Sequence, residues 1–275
     1  MATFFGEVLS VYSRAVEEDD DDDEEEQDEE DQLILRELED KRQVRVRWSP
    51  TIEQSPDSGH RLPCPHLLLA VGHNATRFVS VYFLSHGGWD AVGHVSLWNE
   101  RTVHSEDTTC VLHRHRESHQ VLVCQVDCFV AEDQLFQWTE QVLGSLDASQ
   151  VTVLSDCPAA EYQSPQPLGP DPCLRSLHTS AWSEPICCPP VELPNLVSGL
   201  PAAVVSFCQL HNISAAVYQC YSDARSADST TMDMFRPVVA RLAQDLKVGI
   251  RGTVSCCGLS KVFCANSAPV LFLGL

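Results

Sequence analysis

The sequence predicts an α/β fold, a three-layer α/β/α sandwich with a mostly parallel central sheet. Short apolar runs rich in β-branched residues alternate along the chain with stretches whose apolar residues recur every three to four positions. Strands that alternate with helices are typical of a parallel sheet covered on both faces. At 275 residues, the chain is long enough to bury one large core.

The strands are predicted from runs that are either continuously apolar or alternate with period two. In chain order they are residues 44–48, 66–72, 92–97, 110–113, 121–130, 150–156 and 214–221. "HLLLAVG" at residues 66–72 has no polar face after its histidine, so it predicts a strand buried on both sides.

Four helices are predicted between these strands. They cover residues 78–84, residues 135–144, a helix with Pro201 in its first turn, and residues 232–246, which begin near Thr230 and are disturbed at Pro237. Residues 157–194 contain nine of the sixteen prolines and predict a long loop. We therefore expect an α/β domain over residues 44–247.

The formal charge of -21 comes largely from one segment. Residues 17–31, "EEDDDDDEEEQDEED", contain 14 of the 39 acidic residues, and the rest of the chain carries only about -7. Like charges without apolar residues predict disorder within an N-terminal segment of residues 1–43. We interpret the run as a solvating linker, with a tail that mimics nucleic acid or binds histones as the alternative. No basic stripe is present, which argues against nucleic acid as a partner.

Thirteen cysteines raise the question of disulfides. Their odd number, their positions within apolar patterns and an N-terminus unlike a secretory signal favour reduced thiols. We expect a cytoplasmic protein, with the nucleus and the surface of the endoplasmic reticulum as further locations and no insertion into the membrane.

Cys124 and Cys128 form the most suggestive pair. If both lie on a strand over residues 121–130, they share a face but stand about 13 Å apart, too far to bind one zinc ion. They are predicted to be buried, reduced and free of metal, because unpaired cysteine is among the most buried residue types.

Other candidate sites are weaker. His113, His115 and His119 are interleaved with arginines that would repel a cation, so an exposed loop or a strand end is favoured over a metal site. Residues 71–76, "VGHNAT", place a strand before a helix start, where a phosphate could bind, but they lack a glycine-rich fingerprint.

Cysteine nucleophiles are a further possibility. Cys208 and His211 are three positions apart on one predicted helix, and Cys220 follows on the next strand. A core cysteine beside a histidine at the helix end is favoured. Two adjacent pairs lack the gap of a metal knuckle: Cys187 with Cys188, and Cys256 with Cys257. We therefore predict no catalytic, cofactor-binding or metal-binding residue.

Several long stretches carry a more specific signal. They are "MATFFGEV" at the start, "GWDAVGHVSLWNE" at residues 88–100, "CFVAEDQLFQWTEQVLGS" from Cys128, "CCPPVELPNLVSGLPAAVVSFCQ" from Cys187 and "AAVYQCYSDA" from Ala215. In this order they resemble the proteasome assembly chaperone 1 family from Met1 to about Arg241.

The resemblance implies an α/β/α sandwich without enzymatic activity. It implies a heterodimer with proteasome assembly chaperone 2 that binds α-subunits of the 20S proteasome, promotes their seven-membered ring and prevents off-pathway ring dimers. Two other classes stay open: an α/β enzyme of nucleoside or ester chemistry, and an acidic histone-type chaperone.

The C-terminal segment, residues 248–275, departs from the family pattern. Family members are expected to end in a hydrophobic residue, a tyrosine and one further residue, which enter a gap between α-subunits. Here Leu273, Gly274 and Leu275 stand at these positions, so the resemblance assigns no partner-binding residue. We expect this chain to bind its partner normally and the α-ring more weakly.

Overall fold

The computed structural model describes residues 29–53, 61–98, 110–164, 171–223 and 226–246. The chain divides into two compact units, Met1–Asp40 and Lys41–Leu275. Helix α1, Glu29–Arg42, consists mainly of good helix formers and has basic residues in its last turn, which suits the helix dipole. The acidic run was expected to be disordered up to residue 31. Its last three residues, 29–31, belong to α1, and residues 17–28 lie outside the described residues, so disorder of the run stays a prediction.

The second unit contains an eight-stranded sheet of order β1-β3-β4-β5-β2-β6-β8-β7. The strands are β1 Arg45–Trp48, β2 Leu62–Val71, β3 Trp89–Ser96, β4 Cys110–His115, β5 Val121–Val126, β6 Leu146–Pro158, β7 Cys173–His178 and β8 Ser214–Ser222. The four central strands, β5, β2, β6 and β8, are parallel, and the pairings toward both edges are antiparallel.

Six further α-helices occur among the described residues. They are α2 Pro50–Glu53, α3 His73–Tyr82, α4 Leu135–Gly144, α5 Gly199–Leu210, α6 Ser229–Asp233 and α7 Arg236–Leu246. Helices α4 and α5 contribute to the apolar core on one face of the sheet, and α3 and α7 contribute to the core on the other. The predicted three-layer α/β/α sandwich is confirmed, with parallel strands in the centre of the sheet.

The central strands are buried because side chains from both of their faces enter a core. Along β2, Leu67 and Leu69 face the core of α4 and α5, whereas Leu68 and Ala70 face that of α3 and α7. All four side chains are at most 2% exposed. A strand with two covered faces needs a continuous apolar run, which "HLLLAV" supplies.

Three details differ from the sequence-based expectation. Strand β5 ends at Val126, so Cys128 lies beyond it. The proline-rich residues 157–194, predicted as a loop, contain the edge strand β7, Cys173–His178. The predicted single final helix is divided into α6 and α7, and Pro237 lies in the first turn of α7, where its missing N–H costs little.

The helices of the described residues are compared with the length and composition of a membrane span. None of these helices combines the length and the apolar character that crossing a bilayer requires.

Candidate functional site

The carboxyl edge of the parallel strands is where α/β folds commonly bind ligands. Here Asp156, near the end of β6, reaches the start of α3. Its Oδ1 accepts a hydrogen bond from the amide of Ala75 at 2.9 Å, and its Oδ2 lies 3.4 Å from Nδ2 of Asn74. Gly72 has a φ of 94°, and a Cβ at this position would lie 2.7 Å from Oδ1 of Asp156. The carboxylate therefore packs directly against the helix start.

This contact bears on the candidate phosphate site at residues 71–76. The N-terminus of a helix attracts anions because its first amides have no partner within the helix. In this structure the anion is supplied internally by Asp156. A phosphate at the same place would meet a like charge, so the arrangement favours a structural role for the loop.

We expect the substitution Asp156→Asn to lower the free energy of unfolding by about 1 kcal/mol, and Asp156→Ala by about 2 kcal/mol. Asparagine keeps an acceptor but loses the charge, and alanine also leaves the Ala75 amide without its partner. Urea unfolding followed by circular dichroism measures the change. Asp147→Asn, at an exposed position of the same strand, is the matched control and should change stability by less than about 0.5 kcal/mol. An equal cost for the two asparagine substitutions would contradict a capping role for Asp156.

Of the predicted cysteine pair, Cys124 and Cys128, only Cys124 lies on β5 and is buried as predicted. Cys124 is fully buried, and burial raises the pKa of its thiol. The prediction that Cys128 is buried on the same strand was wrong: it follows the strand, is half-buried, and its Sγ lies 3.3 Å from Sγ of Cys110. Among the described residues, no group of three or more potential ligands is arranged to hold a metal ion. The absence of zinc from the purified protein stays a prediction.

The candidate nucleophiles are not brought together. Cys208 belongs to the core on the α4 and α5 face, whereas Cys220 belongs to the core on the opposite face of the sheet. Burial raises the pKa of each thiol to about 12. His211 is exposed at the end of α5 and stacks on Phe207. A thiol that is protonated and enclosed in this way is a poor nucleophile.

The three histidines lie in and just after β4, near its end, which is one of the two placements that the sequence favoured. His113 is within β4, where burial lowers its pKa, and His115 is the last residue of the strand. Nδ1 of His115 accepts a hydrogen bond from the amide of Ser118 at 3.0 Å. His119 is exposed in the following turn. The burial of His113 and the hydrogen bond of His115 indicate a structural role for both imidazoles.

A cleft of about 400 Å³ lies beside the edge strand β7. Its lining includes three thiols, a cation and a carboxylate: Cys173, Cys187, Cys188, Arg175 and Asp233. Cys187 is an exposed residue, and a hydrogen bond from Cys188 lowers the pKa of its thiol, although partial burial of the sulfur opposes this effect. No histidine is among the lining residues, so the cleft lacks the base that most cysteine nucleophiles use.

The segment after this cleft is anchored against the sheet by polar contacts. The carboxylate of Glu192 pairs with Arg175 at 3.1 Å and accepts a hydrogen bond from the hydroxyl of Tyr162. The side chain of Asn195 donates to the carbonyl of Gln163 at 2.8 Å and accepts from its amide at 2.6 Å. Burial raises the pKa of Glu192, but the Tyr162 and Arg175 contacts outweigh it and lower the pKa overall. The stabilisation from the Glu192 contacts is therefore fully present above the ordinary pKa of a glutamate and is lost as the pH falls through the lowered pKa.

Two leucines stand out from this anchored segment, and we call them the exposed leucine pair. Leu193 is 70% exposed and Leu196 is 75% exposed. Each is next to one of the anchored residues, Glu192 or Asn195, so the backbone that presents it is held in place. Single exposed apolar residues are ordinary, so it is the fixed position of this pair that makes it a candidate protein-binding surface.

Sequence reasoning missed both the Asp156 contact and the leucine pair. The leucines lie in "PPVELPNLVSG", where the prolines indicated a loop and gave no sign of its anchoring. The one available signal was that two polar residues, Glu192 and Asn195, each stand directly before a leucine in this segment. Residues 248–275, with Leu273, Gly274 and Leu275, lie outside the described residues, so the expectations for them stay predictions.

Comparisons of this chain with a family model and with curated proteins both lead to proteasome assembly chaperones. The family model described as "Proteasome assembly chaperone 4" matches residues 1–266. A Xenopus laevis protein named proteasome assembly chaperone 1 is 53% identical over 267 residues, covering 89% of this chain and 92% of that protein. The Homo sapiens protein of the same name is 37% identical over 253 residues, covering 87% and 88%.

A solved structure supports the fold alone. Pyrococcus furiosus PbaA in its monoclinic form, described as an archaeal homolog of proteasome-assembly chaperone, superposes with a TM-score of 0.51 at 9% identity, covering 75% of this chain and 82% of that one. The family model is described as chaperone 4, whereas the relatives are named chaperone 1. The identity to the relatives extends over nearly nine tenths of the chain, so it is the more specific finding. The chain therefore belongs to the proteasome assembly chaperone family, and within it to the group of proteasome assembly chaperone 1.

Proposed function

We propose that this chain is a non-enzymatic chaperone of 20S proteasome assembly. It forms a heterodimer with proteasome assembly chaperone 2, binds proteasome α-subunits, promotes their assembly into a ring and prevents off-pathway ring dimers. The observation that carries the proposal is the 53% identity, over 89% of the chain, to a protein named proteasome assembly chaperone 1. We propose the cytoplasm as its location, with the nucleus and the endoplasmic reticulum surface as further sites.

The geometry of the described residues agrees with binding rather than catalysis. The carboxyl edge near α3 holds an internal carboxylate, the buried thiols lie on opposite faces of the sheet, and the cleft beside β7 has no histidine in its lining. A chaperone that shields a surface needs none of these groups to react. The α/β enzyme is therefore the weaker alternative. The histone-type chaperone depends on the acidic run, most of which lies outside the described residues.

Affinity purification tests the proposal. The tagged chain is expressed at a low level in cells that make proteasomes, and bound proteins are quantified by mass spectrometry against a tag-only control. We expect proteasome α-subunits and proteasome assembly chaperone 2 in comparable amounts. Histones as the main partners, or no α-subunits above the control, would contradict the proposal.

The acidic run should be dispensable for binding chaperone 2. Exposed charges are screened beyond about 8 Å at physiological salt, so a run outside the α/β domain adds little to a docked interface. Deletion of residues 17–28, which stops before α1, should leave the dissociation constant within about twofold, as measured by isothermal titration calorimetry. A glycine-serine replacement of equal length controls for spacing. Loss of binding in both variants would show that the run is part of the interface.

A further inference from the structure

The start of β4 and the connection after β5 bring two thiols together. Sγ of Cys110 and Sγ of Cys128 lie 3.3 Å apart, although 18 positions separate them in the sequence. Strands β4 and β5 are antiparallel, and Cys110 is opposite Val126, so the chain leaving β5 passes directly beside Cys110. A disulfide requires sulfurs about 2.05 Å apart, and a movement of little more than 1 Å would close this distance.

The two thiols differ in their access to solvent. Cys110 is fully buried, whereas Cys128 is half-buried on the connection that follows the strand. The hydrogen bond with Cys128, followed by burial, raises the pKa of Cys110 well above its usual value. Thiol–disulfide exchange needs an accessible thiolate to begin and a second thiol within reach to finish. Cys128 suits the first role and Cys110 the second.

We propose that Cys110 and Cys128 form a reversible redox site whose substrate is an oxidised low-molecular-weight thiol such as glutathione disulfide. The thiolate of Cys128 attacks one sulfur of glutathione disulfide, and one glutathione thiolate leaves. Cys110 loses its proton and attacks Sγ of Cys128, and the second glutathione thiolate leaves. Two protein thiols are oxidised to one disulfide, glutathione disulfide is reduced to two glutathione molecules, and these take up the two thiol protons.

A tryptophan in the same core provides a spectroscopic signal. Trp138 is fully buried in the cluster that contains Cys110 and Cys124. Its side chain lowers the pKa of the Cys110 thiol, but the hydrogen bond with Cys128 and burial raise that pKa by more. Nε1 of Trp138 makes no hydrogen bond of ordinary geometry among the described residues. Disulfides quench nearby indoles, so closure of the bond should lower the emission of Trp138. The bond would also tie Cys128, and with it the exposed Phe129, to β4.

The test uses the full-length chain with Cys187→Ser as the common background. Cys187 is exposed and the pKa of its thiol is lowered, so it would otherwise compete for glutathione disulfide. The protein is incubated with glutathione disulfide, its remaining thiols are alkylated, and disulfides are mapped by peptide mass spectrometry. We expect a Cys110–Cys128 disulfide, a fall in tryptophan emission, and reversal of both by dithiothreitol.

Three variants separate the roles. Cys110→Ser should trap a mixed disulfide of glutathione on Cys128, and Cys128→Ser should form neither species. Cys124→Ser, a buried cysteine two positions before the end of β5, is the matched control and should form the bond at the parental rate. The proposal is overturned if Cys110 and Cys128 are still fully alkylated when the folded parent has been incubated with glutathione disulfide and then denatured in the presence of the alkylating reagent. It is overturned equally if Cys128→Ser loses emission like the parent, or if Cys124→Ser blocks the bond.

Discussion

Replacing Trp138 by alanine should lower the free energy of unfolding by about 3 to 5 kcal/mol, the usual cost of removing a buried tryptophan. Trp138 is fully buried on α4 and belongs to the core that joins α4 and α5 to the sheet. Its removal leaves a cavity against several strands at once. Denaturant unfolding followed by circular dichroism measures the loss without depending on tryptophan emission.

Phe136 on the same helix provides the control. It is 71% exposed, so Phe136→Ala should change stability by less than about 0.5 kcal/mol. Trp138→Phe should cost less than Trp138→Ala because part of the volume is kept. If Trp138→Ala were as stable as Phe136→Ala, the placement of α4 on the sheet would be wrong.

The second large effect is expected on partner binding. Replacing both members of the exposed leucine pair, Leu193 and Leu196, by serine should weaken the complex with the proposed partner, proteasome assembly chaperone 2, by about 2 kcal/mol, roughly thirtyfold in dissociation constant, because both side chains are largely exposed and a partner would remove them from water. The segment is already held by Glu192 and Asn195, so little conformational entropy is lost when a partner covers it. This surface is our proposal for the partner contact, and it rests on the proposed function.

Leu210→Ser is the matched control for the pair. Leu210 is 81% exposed at the end of α5, outside the anchored segment, and its replacement should leave the affinity unchanged. Surface plasmon resonance with immobilised chaperone 2 measures the variants, and circular dichroism checks that each is folded. An unchanged affinity of the double variant would place the contact elsewhere on the molecule.

The sequence predicted those elements whose apolar pattern is continuous. The helix at residues 135–144 was predicted with the bounds it has, because Leu135, Trp138 and Val142 repeat with helical spacing. The strand predicted over residues 121–130 ends early, at Val126. The apolar residues Phe129 and Val130 continue the apolar pattern of the strand, but they lie in the connection between β5 and α4. Apolar composition does not show where a strand stops pairing.

Pairings between distant residues could not be predicted in this way. Asp156 meets Ala75 across 81 positions, and Cys110 meets Cys128 only because β4 and β5 are antiparallel neighbours. Strand β7 was missed because prolines surround it, and its pairing with β8 overrides that local signal. These contacts depend on the order of the strands in the sheet, which local periodicity does not encode.

The most direct test of the proposed function is ring assembly in cells depleted of their own proteasome assembly chaperone 1 by RNA interference. This chain is expressed from a messenger RNA that the interfering RNA does not match, and α-rings and α-ring dimers are separated on nondenaturing gels. We predict that the chain raises the amount of α-rings and lowers that of ring dimers toward the levels of undepleted cells. If ring dimers stayed at the depleted level although the chain was present and bound to chaperone 2, the assignment of this chain as an α-ring assembly chaperone would be contradicted.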